Sequence, residues 1–322
     1  MEITKLKIFK NITRGENMQN KNIKSVGFLT VGVAVLYFIL NILGSYALTE
    51  LNLIDTVGNN AVYFSIYMLA TQIIFIVLPF TFYNIIGCKI TGYKNKYPYT
   101  AKVSFGEFTT WVLAGITLVL FINFLNSIEL KIFQSSGVTF ASTEYPVVNN
   151  KLEGFLFFFF IGIAAPVLEE LTFRKLLFGT LRQFGNTFGI IFSGLMFGFW
   201  HGDFNQIAFA SMTGIILSYI LAKTGNIFIP ITIHVFNNCY ALVGYFLQMK
   251  MITMLQSLLL ISLVTLIFFI GFGLFIHKCS TKEINFNAIK NSLKVQHKKT
   301  YWTFLPFFCV AIIPSIILAF IR

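Results

Sequence analysis

The sequence is short of charge. Asp, Glu, Lys and Arg make up 11% of its 322 residues, against about 25% in soluble domains, and no polar stretch is long enough to enclose a water-soluble core of its own. The two soluble domains that the length would allow are thereby excluded, and the expected solvent is lipid. Cysteine is also sparse. Cys88, Cys239, Cys279 and Cys309 stand far apart, in or beside apolar runs, without paired metal-ligand spacing, so they read as apolar filling. Acidic residues number only 12 against 24 Lys and Arg, for a net charge of +12. The basic residues lie in short segments between apolar runs rather than along one face, which argues for membrane topology and against a nucleic-acid partner. Internal repeats and low-complexity segments are lacking.

What the chain has is apolar length. Its mean hydropathy is +0.77 and it contains 39 Phe, which at lipid-facing positions is ordinary bulk. Runs of spanning length or nearly so fall at about 26–48, 61–86, 107–128, 152–173, 187–201, 206–222, 227–248, 254–277 and 302–321. The expected fold is therefore all-α: a polytopic transmembrane helical bundle of about nine spans, one domain over 26–322, preceded by a mobile basic tail at 1–25. Met18 offers a second start. The fifth run is short for about 20 residues per span, which is tolerable if it is packed inside the bundle. With the N-terminus inside, 20 of the 24 basic residues fall on the inner side, as the positive-inside rule requires. The linker 278–299 is then cytoplasmic, Arg322 external, and membrane lipid an obligatory partner.

Against that background, Glu169-Glu170-Leu-Thr-Phe-Arg174, Phe197-Gly-Phe-Trp-His201 and His234-Val-Phe-Asn-Asn238 put titratable groups into apolar spans. An ionisable side chain at membrane depth costs about 2.5–3.5 kcal/mol on insertion scales, so such a group marks a functional site by default. Adjacent glutamates point about 100° apart on a helix and cannot share one role. Glu170 lies four before Arg174, the spacing of a helical ion pair, and is expected to be ionised and structural. Glu169 lacks such a partner and is the candidate general base. A turn at Gly185-Asn186 would bring Glu169 and His201, each 16 residues from Gly185, to one depth, about 24 Å from the turn. His234 and Asn238 share a helical face and can both donate hydrogen bonds, as an oxyanion site for amide hydrolysis requires. Asn237 is expected to point elsewhere. Asp203 and Asn205 sit at a predicted outer turn and read as helix punctuation.

Taken together and in this order, the three stretches resemble the CPBP or Abi family of CAAX proteases and bacteriocin-processing enzymes, whose motifs are Glu-Glu-x-x-x-Arg, Phe-x-x-x-His and His-x-x-x-Asn. The resemblance covers about residues 150–250. It implies an intramembrane endopeptidase in a bacterial cell membrane, acting near the cytoplasmic side on a peptide or membrane-protein substrate. In it Glu169 and His201 activate water, His234 and Asn238 stabilise the oxyanion, and Glu170, Arg174 and Phe197 support. The family is often labelled metalloprotease. The preferred reading needs no metal, because Asn238 is a poor zinc ligand; the alternative takes zinc on His201, His234 and Glu170. Two rival functions use the same residues: a non-proteolytic immunity or scaffold protein of this fold, and a proton-coupled transporter with a Glu169–His201 relay. The paired half-helix breaks of transporters are not evident in the sequence.

Overall fold

The computed structural model describes residues 2–94, 98–138, 140, 145–284 and 298–321. These residues form helices joined by short connections, with one isolated bridge between Thr100 and Asn226 and no strand among them. The long helices are α1 (Glu2–Glu50), α2 (Ala61–Thr91), α3 (Phe105–Ser135), α4 (Lys151–Phe184), α5 (Asn186–Trp200), α6 (Phe204–Thr224), α7 (Phe228–Gln248), α8 (Met254–Ser280) and α9 (Lys298–Ile321). Each expected apolar run falls within one of them, and the chain is an all-α polytopic bundle.

Seven of these helices are long and apolar enough to cross a membrane. The other two are α5, with 15 residues, and α7, whose 21 residues carry His234, Asn237, Asn238 and Gln248. The backbone of α1 begins at Glu2, so the stretch expected as a mobile tail continues the first helix. Its sequence contains no proline and only Gly15 before residue 25 to interrupt one. The side chains of residues 2–20 and the linker residues 285–297 lie outside the described residues, as does Arg322.

Local chemistry sets the helix starts. Asn60, Ser104, Asn150, Asp203 and Thr253 each accept a hydrogen bond from a backbone N–H one turn inside the helix that follows, which satisfies donors left over at helix N-termini. Between α4 and α5 the chain turns at Gly185, whose φ of 126° is open to glycine and strained for other residues.

Beside two smaller clusters, two large ones make up most of the core. One joins α1, α2, α4, α5 and α9 through residues such as Val26, Phe80, Phe173, Phe192 and Phe304. The other joins α3, α7, α8 and the second half of α6 through Trp111, Leu217, Ile233 and Phe275. Helices α5 and α6 stitch the two together. Gly194 and Gly198 face Ile215 and Ser211 so closely that a Cβ on either would lie 2.5 Å or less from those neighbours. This small-residue seam, with Ser193 and Ser218 hydroxyls 3.1 Å apart, allows the close helix approach that membrane bundles use. It also fixes the end of α5, where His201 sits.

Two helices widen locally. In α2, residues Gln72–Val77 form a π-turn directly ahead of Pro79, and in α4 Phe158–Ala164 do so ahead of Pro166. A proline ring in a regular helix collides with the carbonyl four residues back and cannot donate to it. The i→i−5 bonds from Leu78 to Ile73 and from Ala165 to Phe160 take the chain past that conflict. A second π-segment, Leu171–Phe178, follows Glu170, so both glutamates occupy a short α-helical stretch between two widened ones.

Candidate active site

Glu170 and Arg174 are completely buried. The expected i, i+4 pair is present, with Arg174 Nε 2.9 Å from Glu170 Oε2 and Arg174 Nη2 donating to Oε1 at 2.9 Å. The guanidinium also stacks 4.7 Å from the Phe197 ring centroid, a favourable setting for a desolvated cation. Phe197 turns its ring against both imidazoles, with centroids 4.9 Å from His201 and 5.6 Å from His234 at nearly perpendicular planes. It is the apolar partition behind the polar groups.

His234 enters from α7 and lies between the two glutamates. Its Nδ1 is 2.9 Å from Glu170 Oε1; a carboxylate committed to Arg174 only accepts, so Nδ1 donates. That leaves Nε2 facing Glu169 Oε2 at 3.6 Å. The equal-depth argument paired Glu169 with His201, and the geometry adds an imidazole it did not anticipate. His201, at the end of α5, donates from Nδ1 to the Phe197 carbonyl at 2.8 Å, which in the neutral ring puts the acceptor lone pair on Nε2. Asn238 donates one amide hydrogen to the Ile161 carbonyl at 3.2 Å, in the π-turn of α4.

Glu169, His201, His234 and Asn238 all line one cavity of about 450 Å³. Asn237 lines it as well, contrary to expectation, because this part of α7 presents more than one helical face to the space between α4 and α6. Its Oδ1 and the Thr213 hydroxyl are buried in the wall without a hydrogen-bond partner. Gln72, from α2, was missed altogether: its Nε2 donates to Glu169 Oε1 at 2.5 Å. The only sequence signal was the polar pair Thr71-Gln72 within an apolar run. Asp203 caps α6, accepting from the Asn205 backbone at 2.8 Å and from the Asn205 and Gln206 amides, in keeping with its reading as punctuation.

The zinc alternative can be tested on this donor set. Among the described residues no three His, Cys, Asp or Glu side chains converge as a metal site. Glu170, one of the three alternative ligands, has its oxygens turned to Arg174 and to His234 Nδ1. The set His201, His234 and Glu170 does not fit the ion in this geometry.

Residues 151–240 match the family model for type II CAAX prenyl endopeptidases, Rce1-like. This segment runs from the start of α4 to just beyond Asn238 and contains all three motifs with their geometry. The match supports an assignment to the CPBP family that the three motifs suggest. Two curated proteins align with the chain at 30% identity: YdiL of Bacillus subtilis (strain 168), named a membrane peptidase, over 146 residues, and the membrane-embedded CAAX protease MroQ of Staphylococcus aureus (strain USA300), over 141. The alignments cover 44% and 41% of this chain, and it spans 58% and 56% of the length of those two relatives. No solved structure matches it. The matched segment takes in α4, α5, α6 and most of α7, and α1, α2, α3, α8 and α9 lie outside it.

Proposed function

We propose that the chain is an intramembrane endopeptidase in which Glu169 is the general base and no metal takes part. The observation that carries this reading is the single cavity that brings Glu169, His201, His234 and Asn238 together beside the buried Glu170–Arg174 pair. A water between Glu169 and His201 Nε2 attacks the scissile carbonyl carbon, and Glu169 takes its proton. The developing oxyanion accepts hydrogen bonds from the second amide hydrogen of Asn238 and from His234 Nε2–H, whose donation uses the imidazolium form flanked by the two glutamates. As the C–N bond breaks, Glu169 returns the proton to the leaving nitrogen, and the water oxygen stays on the new carboxyl group. General-base catalysis typically contributes about 10²–10⁴-fold and one oxyanion donor about 10²–10³-fold.

The substrate class follows from the cavity wall. Unsatisfied polar atoms such as Asn237 Oδ1 and Thr213 Oγ1 cost about 1–3 kcal/mol each when buried, and the N–H and C=O groups of an extended peptide offset that cost. Asn41, Tyr67, Asn126, Tyr145 and Gln206 line the cavity from the ends of the bundle remote from Gly185. We infer that the scissile segment enters from there. By the distribution of basic residues that is the extracytoplasmic end. The test compares the peptides that accumulate in membranes of cells carrying the wild type and Glu169→Gln. A full-length peptide enriched with the variant, and its shortened products present only with the wild type, are expected; identical peptide populations at equal expression would contradict the reading.

A further inference from the structure

We propose that Gln72 is a positioning residue for Glu169, supplied to the CPBP core by a helix outside the matched region 151–240; the proposal rests on the reading of Glu169 as the base. Its side-chain amide donates to Oε1 of a carboxylate 97 positions away in sequence. The other oxygen of Glu169, Oε2, is the one that faces His234 Nε2. The two oxygens therefore have separate duties. Oε1 is anchored to α2, and Oε2 is aimed at the polar groups where water is to be activated.

The backbone around Gln72 shows how the amide reaches this place. Gln72 is the first residue of the π-turn ahead of Pro79, and that widened turn packs against Ala165–Glu170 of α4. The neighbouring Thr71 hydroxyl is spent on the Met68 carbonyl at 2.9 Å, so the polar group delivered to Glu169 is the Gln72 amide. π-turns interrupt helices frequently at functional sites. The chemistry of the donor also suits the task. A Lys or Arg here would neutralise the base it holds, whereas a neutral amide orients the carboxylate and leaves its charge in place. Glu169 is only 13% exposed, so few waters are available to orient it in place of the amide.

The experiment uses the full-length protein purified in detergent, with Gln72→Leu, which removes the donor, and Gln72→Met, which keeps an unbranched shape. With a peptide that the wild type cleaves, kcat is expected to fall about 10²-fold, the scale of a misplaced reacting group, while KM and the melting temperature stay near wild type. A readout independent of turnover is modification of Glu169 by dicyclohexylcarbodiimide, followed by mass spectrometry; labelling should rise in both variants as the carboxyl loses its anchor. Unchanged kcat and unchanged labelling in either folded variant would overturn the proposal. So would a loss of kcat that comes only with an equal loss of substrate affinity and melting temperature. Turnover retained by Glu169→Gln would instead remove the base reading itself, so the two failures are distinguishable.

Discussion

Glu169 and Glu170 are neighbours in sequence, yet the fold gives them different company. Glu170 is fully buried among Arg174 and His234 Nδ1, whereas Glu169 lies on the cavity between Gln72 and His234 Nε2. The Glu170–Arg174 pair was legible because i, i+4 spacing is a local property of one helix. The insertion of His234 between the two carboxylates was not, since it depends on the rotation of two helices whose contacting residues are 64 positions apart. Gln72 was illegible for the same reason. Breaking a buried ion pair on one side leaves an uncompensated charge, so Glu170→Gln is expected to destabilise the protein by about 3–5 kcal/mol. Replacing both partners, as Glu170→Leu with Arg174→Leu, should restore much of the loss. Denaturation in detergent measures both; a Glu170→Gln protein as stable as wild type would contradict the structural role.

At the scale of helices, hydropathy located the long elements among the described residues, and the Gly185-Asn186 turn falls where its residues indicated. Widened turns are harder to read, because π-geometry is a register change in backbone hydrogen bonding, and only Pro79 and Pro166 hinted at it. The short α5 is compatible with its place in the bundle: of its 15 residues, nine are buried, so it needs little lipid-facing length. Its depth is fixed against α6 by Gly194 and Gly198, and the turn that follows is held by Asp203. Removing that cap through Asp203→Ala should cost about 1–2 kcal/mol, at the upper part of the range for capping residues, because the carboxylate also accepts from the Asn205 and Gln206 amides. The loss appears as a lower unfolding midpoint in detergent; an unaltered midpoint would show that the α5–α6 seam alone sets the turn.

For the whole molecule, the bundle was readable from composition and from the lengths of the apolar runs, while the direction in which the cavity opens was not, because no single helix encodes it. The proposed orientation puts Val147, 55% exposed ahead of α4, outside and Phe105, 85% exposed at the start of α3, inside. With the native cysteines replaced, an impermeant thiol reagent added to intact cells should modify Val147→Cys and reach Phe105→Cys only after permeabilisation; the reverse pattern would invert the topology and the side of substrate entry with it. The central claim is hydrolysis by Glu169 without a metal. It is tested most directly by incubating the peptide that accumulates with Glu169→Gln with purified, chelator-treated protein. The account predicts that the wild type cleaves it at an undiminished rate and that an equally folded Glu169→Gln protein leaves it intact. Cleavage by Glu169→Gln at a near-normal rate, or stoichiometric zinc whose removal stops the wild type and whose return restores it, would contradict it.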